Sequence, residues 1–340
     1  MKLMKTEDAV GQVLCHDITQ IIKGVTKDAV FRKGHVITEE DIPVLLSVGK
    51  DNIYVWENDE TMMHENDAAE VLCRMCKGDN MSRGEVKEGK IELAAECDGV
   101  LKIDRDKLKA VNSFGQMMIA TRHGDFPVKK GDKLAGTRII PLVIEKEKME
   151  QVEALCEGEP IMNVVPYTSR KAGVVTTGNE VFYGRIKDTF TPVVEEKLAE
   201  FGVPVIAHKC SNDENENIEA AIREMLDAGC DMIICTGGMS VDPDDKTPLA
   251  IRNVCGSVVT YGAPVLPGAM FLLAYYGEAN IPVLGLPGCV MYSKRTIFDL
   301  VLPRVMTGEI LDKEDFDRLG EGGLCLNCSV CTFPNCGFGK

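Results

Sequence analysis

The chain has 340 residues and an apolar fraction of 45%, enough length for two domains with sizeable cores and a composition typical of soluble globular proteins. It carries 38 basic against 53 acidic residues, a net charge of −15, which argues against unaided binding to nucleic acid or anionic membranes. No run of about 18 apolar residues could cross a bilayer, and the start, MKLMKTEDAV, turns acidic before a signal-peptide core could form. A cytoplasmic location is therefore expected, and in that reducing compartment the 14 cysteines read as thiols or metal ligands.

Residues 1–160 read as a mixed α+β to β-rich region. The run 38–41 (TEED) has a capping pattern, followed by Ile42, Leu45 and Leu46 and stopped by Gly49. NIYVW (52–56) then reads as a strand. His16, His35 and His64 are scattered and point to no shared site. NDAAEVLCRMCK (66–77) fits a helix with Ala68, Val71, Leu72 and Met75 facing inward. Its Cys73 and Cys76 form a CxxC, but thiols at this helical spacing usually just pack, and no second pair lies nearby. From 78 to 144, glycines punctuate short apolar runs such as GVLKI, MMIAT and RIIPLVI, a β-rich pattern, with 129–132 (KKGD) reading as a hairpin turn. The charged stretch 145–160, ending in Pro160, is expected to be a linker or an exposed helix.

From 161 to 310 the period changes to that of an α/β domain. The apolar run Gly173–Val175 reads as a buried strand ending in a polar turn of Thr176, Thr177, Gly178, Asn179 and Glu180, and Val194, Leu198 and Phe201 mark an amphipathic helix closed by Gly202. VPVIA (203–207) is a strand, and Ile218, Ala221, Ile222, Met225 and Leu226 form a second apolar helix face. DMIIC (231–235) repeats the strand-then-turn design with TGGMS, and IPVLGL (281–286) does so again with Pro287 and Gly288. Further elements are expected at 243–253, 257–261, 270–276 and 289–306. This alternation predicts a three-layer, doubly wound, mostly parallel sheet with right-handed crossovers, whose ligand site lies outside the carboxyl ends of the strands.

The side chains gathered on those turns are Thr176, Thr177, Gly178, Asn179 and Glu180; Asp188; Asp213; Thr236, Gly237, Gly238 and Ser240; Asp242, Asp244 and Asp245; Pro287 and Gly288. Gly turns at helix N-termini suit a phosphate, but carboxylates beside them would repel it unless a cation intervenes. The combination points to Mg²⁺ bridging acidic side chains and a phosphorylated ligand. Asp188 and Asp213 precede expected helices and could equally serve as their caps.

TTGNE (176–180) with GRIKD (184–188), then TGGMS with Asp245, then GLPG (285–288) resemble the molybdopterin-binding domain of molybdenum cofactor biosynthesis proteins, above all the molybdopterin molybdotransferases of the MoeA and gephyrin type. That resemblance implies a dimeric enzyme that binds molybdopterin or its adenylate and inserts molybdate in a Mg²⁺-dependent reaction. By resemblance, Glu180, Asp188 and Asp245 would hold the pterin phosphate and Mg²⁺, with Glu180 and Asp245 catalytic. Asp213 would belong to the second loop, while Thr177, Gly237, Gly238, Ser240, Pro287 and Gly288 would form the cradle. Where the family usually has Lys residues around a Pro-Gly, this chain reads Leu266-Pro267-Gly268-Ala269-Met270, and Cys289-Val290 stands where Asn-Pro is usual. The loss of those cations motivates a second expectation, a non-catalytic carrier of the pterin or of the finished cofactor, or a redox sensor, serving a molybdoenzyme.

The tail, 311–340, contains CLNCSVCTFPNC, which places Cys325, Cys328, Cys331 and Cys336 in a CxxCxxC run followed by a fourth Cys. Thiolates this dense repel one another unless a metal neutralises them, so an iron–sulfur cluster or structural Zn²⁺ is expected here.

Overall fold

The computed structural model of the chain describes residues 1–22, 26–56, 59–156 and 158–340. Two units emerge: one comprises 1–96, 103–122 and 131–163, the other 97–102, 123–130 and 164–340.

In the first unit, short antiparallel pairs join Lys2–Lys5 with Asn52–Val55 and Ile18–Ile22 with Thr26–Phe31. A small core of Leu14, Ile18, Ile37, Leu45, Ile53 and Val55 lies among them. A four-stranded antiparallel sheet follows, ordered Met81–Arg83, Lys90–Ala95, Lys133–Ile139, Met117–Thr121. The expected helix is present at Glu65–Cys76, with Ala68, Val71, Leu72 and Met75 buried. Cys73 and Cys76 are buried on the same element, and burial pushes both thiols upward in pKa, so they act as small apolar side chains.

Two expectations need correction. The turn at 129–132 is not a hairpin, because the strands Phe126–Val128 and Lys133–Ile139 that it joins pair in different sheets. A helix at Arg105–Ser113, started by Asp104 accepting the Lys107 N–H, interrupts the β-rich stretch. The stretch 145–160 contains a helix, Lys146–Ala154, that buries Met149 and Val152 within the first unit; Glu157 lies outside the described residues.

The second unit holds a six-stranded sheet. Its strands are β1 (Ala172–Thr177), β2 (Val205–Ser211), β3 (Met232–Thr236), β4 (Thr260–Tyr261), β5 (Leu272–Tyr276) and β6 (Ile281–Leu286). Their spatial order is β2-β1-β3-β6-β5-β4. The pairs among β2, β1, β3 and β6 are parallel, while β5 and β4 add antiparallel pairs. Parallel neighbours buried on both faces need apolar residues at successive positions, and β1 supplies them. Val174 faces a core with Val194 and Leu198 of α1 (Phe190–Ala199) and with Phe298, Val301 and Val305 of α4 (Ile297–Met306). Val175 faces the other, with Ile218, Ile222 and Met225 of α2 (Asn215–Asp227) and Ile251 and Val254 of α3 (Thr247–Cys255). The result is three layers.

The tail is part of this unit: Leu311, Phe316 and Phe338 are buried in its first core. No helix among the described residues is long and apolar enough to cross a membrane. Ile234 of β3 is fully buried in the same core, so Ile234→Ala should destabilise the second unit by about 2–5 kcal/mol, read as a lower denaturant midpoint for that unit's transition.

Candidate functional site

The strand order reverses between β1 and β3: β2 lies to one side of β1, and β3 with everything after it to the other. At such a switch point the connections from the two strands run to opposite faces of the sheet, and ligands of doubly wound sheets bind outside the carboxyl edge there. Here the turns after the two strands are 177–180 and 236–240, the two richest in the side chains singled out from the sequence.

Strand alternation splits the site in two. Thr177, on the Val175 face, has its hydroxyl 3.0 Å from that of Thr247 at the start of α3. A Cβ on Gly237 would lie 2.2 Å from the Thr177 carbonyl oxygen, and Gly237 has φ +85°, so only glycine lets the two turns close on each other. Gly178, at φ +136°, likewise leaves room for the Glu180 carboxylate, which a Cβ would meet at 2.9 Å.

Carboxylates converge on this side. Asp213 accepts the backbone N–H of Asn179 at 2.8 Å, tying the loop after β2 to the turn after β1. It does not cap its own helix. Burial pushes Asp213 above the ordinary carboxylate range; the Asn179 N–H opposes that shift, and the negative charges of Glu180, Asp245 and Asp244 add to it. Asp245 accepts the Ser240 N–H at 3.0 Å and so fixes the TGGMS turn. The Tyr261 hydroxyl donates from β4 to the carbonyls of Met239 and Ser240, 3.1 Å each. Nothing in the sequence marks Tyr261 or Thr247 for these roles.

Thr176 points to the opposite face, and Asp188 goes with it. The Asp188 carboxylate accepts the N–H groups of Phe190 and Thr191 at 2.8 and 3.1 Å, capping α1. It also accepts the hydroxyls of Thr191 at 2.6 Å and Thr176 at 3.2 Å. Burial pushes its pKa up, but the hydrogen bonds outweigh burial and hold it below the usual range. His208 Nε2 lies 3.5 Å from Asp188 and 3.9 Å from Cys210 Sγ. One ligand atom from each of Asp188, His208 and Cys210 can be chosen with all three within 4.8 Å of one another, a mixed O, N and S set that suits a borderline cation such as Zn²⁺. The alternating His-x-Cys on β2 was the only sequence signal for it.

The remaining residues divide by exposure. Thr176, Thr177, Thr236 and Pro287 are buried posts of the turns, and the Thr236 hydroxyl has no hydrogen-bond partner among the described residues. Glu180, Ser240, Asp242, Asp244 and Gly288 are exposed; Asp213 and Asp245 are half-buried. In the tail, Cys325 and Cys336 are half-buried, Cys328 and Cys331 are exposed, and all four are free thiols.

Residues 173–307 match a family model described as "Probable molybdopterin binding domain". This stretch is thus similar in sequence to molybdopterin-binding domains. Residues 3–57 match a second family, described only as a domain of unknown function. Among curated proteins, a CinA-like protein from Mycobacterium avium is 35% identical over 97 residues, which is 28% of this chain and 22% of that protein. One from Mycobacterium tuberculosis is 36% identical over 88 residues, 26% of this chain and 20% of that protein. The chain thus spans about a fifth of the length of these curated relatives. Among solved structures, the molybdopterin biosynthesis enzyme MoaB from Thermus thermophilus aligns with 24% identity and a TM-score of 0.35, covering 41% of this chain and 98% of that one. CinA from Thermoplasma acidophilum aligns with 21% identity and a TM-score of 0.31, covering 35% of this chain and 89% of that one.

A carboxyl whose pKa is raised by folding adds stability that is present below its ordinary value and lost as pH rises through the raised one. For Asp213 that ordinary value is 3.8, so its ionised form is a burden on the cation-free protein at neutral pH. Asp213→Asn, which keeps an acceptor for the Asn179 N–H, should raise the Tm at pH 7 and flatten the gain in Tm on mild acidification. Asp188 behaves oppositely: its contribution is present at neutral pH and is lost only as pH falls below 3.8, so Asp188→Asn should lower the Tm at pH 7.

Proposed function

We propose that the β1/β3 crevice binds the phosphate end of molybdopterin, or of its adenylate, together with Mg²⁺. The observation that carries this reading is the crowding of Asp213, Glu180, Asp244 and Asp245 beside two glycine turns at a switch point, within the stretch that matches a molybdopterin-binding domain. A cluster of carboxylates around a half-buried Asp213 suits a cation, and a hard cation held by one or two carboxylates completes its shell with phosphate oxygens. In this reading the cation takes one or two protein ligands from among Glu180, Asp213 and Asp245, whose carboxylates do not stand together as a set of three within 4.8 Å; Asp188, engaged in capping α1, stands outside the set. Mg²⁺, when bound, would neutralise phosphate charge and polarise the phosphate linkage.

The protein's own part is positioning. Gly237 and Gly238 bring backbone close to the ligand, Thr177 and Thr247 lock the two turns together, and Tyr261 and Asp245 hold the Ser240 turn open toward solvent. The corresponding activity is molybdopterin molybdotransferase-like: hydrolysis of the adenylate coupled to molybdate insertion, with Glu180 and Asp245 as the catalytic carboxylates and a second copy of the chain as an expected partner.

A specific observation favours the carrier as a second reading. Leu266, where the family usually places a lysine, is bonded on both backbone groups to the tail: its N–H donates to the Gly323 carbonyl and its carbonyl accepts the Cys325 N–H, both at 2.8 Å. A chain that binds the pterin without turning it over, and hands it to a molybdoenzyme, would need no oxyanion-holding cations there. In either reading the tail cysteines hold a metal centre, iron–sulfur or zinc.

Calorimetry with molybdopterin adenylate should show Mg²⁺-dependent binding; no heat with Mg²⁺ present would refute the crevice reading. Asp245→Asn should lower Mg²⁺-dependent adenylate hydrolysis by about 100-fold or more, and unchanged turnover would remove Asp245 from the site. Molybdate-dependent product formation by the purified protein separates enzyme from carrier.

A further inference from the structure

We infer that the C-terminal segment is a preformed four-thiolate site for a [4Fe–4S] cluster, seated against the loop that follows β6 and the Leu266–Pro267 segment. Cys325, Cys328, Cys331 and Cys336 all line one cavity of about 260 Å³, together with Pro267, Lys294 and Arg295. This goes beyond the pterin reading and does not rest on it, since none of these groups belongs to the carboxylate crevice.

The spread of the thiols favours the larger of the two metal centres. Four thiolates around a single Zn²⁺, at Zn–S distances of about 2.3 Å in a tetrahedron, stand roughly 3.8 Å apart. Among the described residues, only Asp188, His208 and Cys210 bring three metal-ligating atoms within 4.8 Å of one another. The four tail thiols are therefore more widely spread than zinc requires, yet they face a common space. A cubane interposes iron and sulfide between its ligands and needs such a wider ring, and the CxxCxxC spacing resembles cluster-binding runs, with one residue more before the fourth Cys than the bacterial C-x₂-C-x₂-C-x₃-C pattern.

The ring is held by groups that do not depend on metal. The Cys325 N–H is fixed by Leu266. Lys294 Nζ donates to the carbonyls of Cys328 and Ser329 at 3.1 and 2.8 Å. Arg295 lies over the Phe333 ring at 5.2 Å and is itself held by Asp299 at 2.8 Å. Beyond Cys336, Phe338 is buried in the core, and the Gly339 N–H donates to the Gly322 carbonyl at 2.9 Å, closing the segment on itself. Lys294 and Arg295 also set two cations at the wall of a site whose ligands and cluster together are anionic. Cys328 and Cys331, on the solvent side, are the ligands through which iron would enter.

The full chain, purified anaerobically and reconstituted with ferrous iron and sulfide, should carry about four iron and about four acid-labile sulfide per chain. Its visible charge-transfer absorption should bleach when dithionite supplies one electron, with a paramagnetic signal appearing by electron paramagnetic resonance. Cys328→Ser and Cys331→Ser, both at exposed positions, should lose most of the iron while keeping the far-ultraviolet circular dichroism of the parent. Cys73→Ser, in the helix Glu65–Cys76, should keep it all. One zinc per chain with no labile sulfide, not displaced on reconstitution, would overturn the proposal. So would full iron retention in the Cys328→Ser/Cys331→Ser double variant. Pterin calorimetry on the same samples separates failure of this site from failure of the crevice.

Discussion

Like charges confined to one edge of a parallel sheet are the constraint on which the site turns. Asp213 is tied to the Asn179 amide, Asp245 to the Ser240 amide, and Glu180 folds over a glycine that leaves it room. These tethers hold Asp213 and Asp245 in place, while Glu180 and Asp244 face water. Behind them, β1 and β3 are buried on both faces, so the strand ends that carry the turns cannot yield either. The pKa of Asp213 is pushed up, first by burial and then by its acidic neighbours.

Asp188 and Asp213 show how strongly surroundings set the role of one residue type. Both are partly buried acids just ahead of helices. Asp188 has two amides and two hydroxyls pointed at it and is content as an anion; Asp213 has one amide and three acidic neighbours. The difference traces to the two-residue period of β1, which sends Thr176 toward α1 and Thr177 toward α3.

The strands and helices of the second unit were legible because their apolar residues recur at clear periods: Ile218, Ala221, Ile222 and Met225 could form little but a helix face, and β1, β3 and β6 are mostly apolar runs that lead into glycine turns. The turn residues were legible for the same reason, since Gly237 sits where a side chain would collide. What was not legible depends on contacts distant in sequence. Tyr261 reaches Ser240 across the sheet edge, and His208 meets Asp188 only because β2 pairs beside β1. The helix at Arg105–Ser113 was hidden by its polarity, as only Val111 is buried on it. The turn at 129–132 has hairpin chemistry but joins strands whose pairing partners lie elsewhere, and local residues cannot announce that.

The two backbone bonds at Leu266 make the cysteine segment and the stretch leading into Pro267 and Gly268 a single seam. A seam transmits: whatever stiffens or loosens the tail changes the freedom of a segment next in line to β5, with no side chain needed to carry the message. Clipping the last residues would therefore do more than delete thiols. It would unzip one side of Leu266 and leave two main-chain polar groups in search of water, altering the wall of the domain from the outside in.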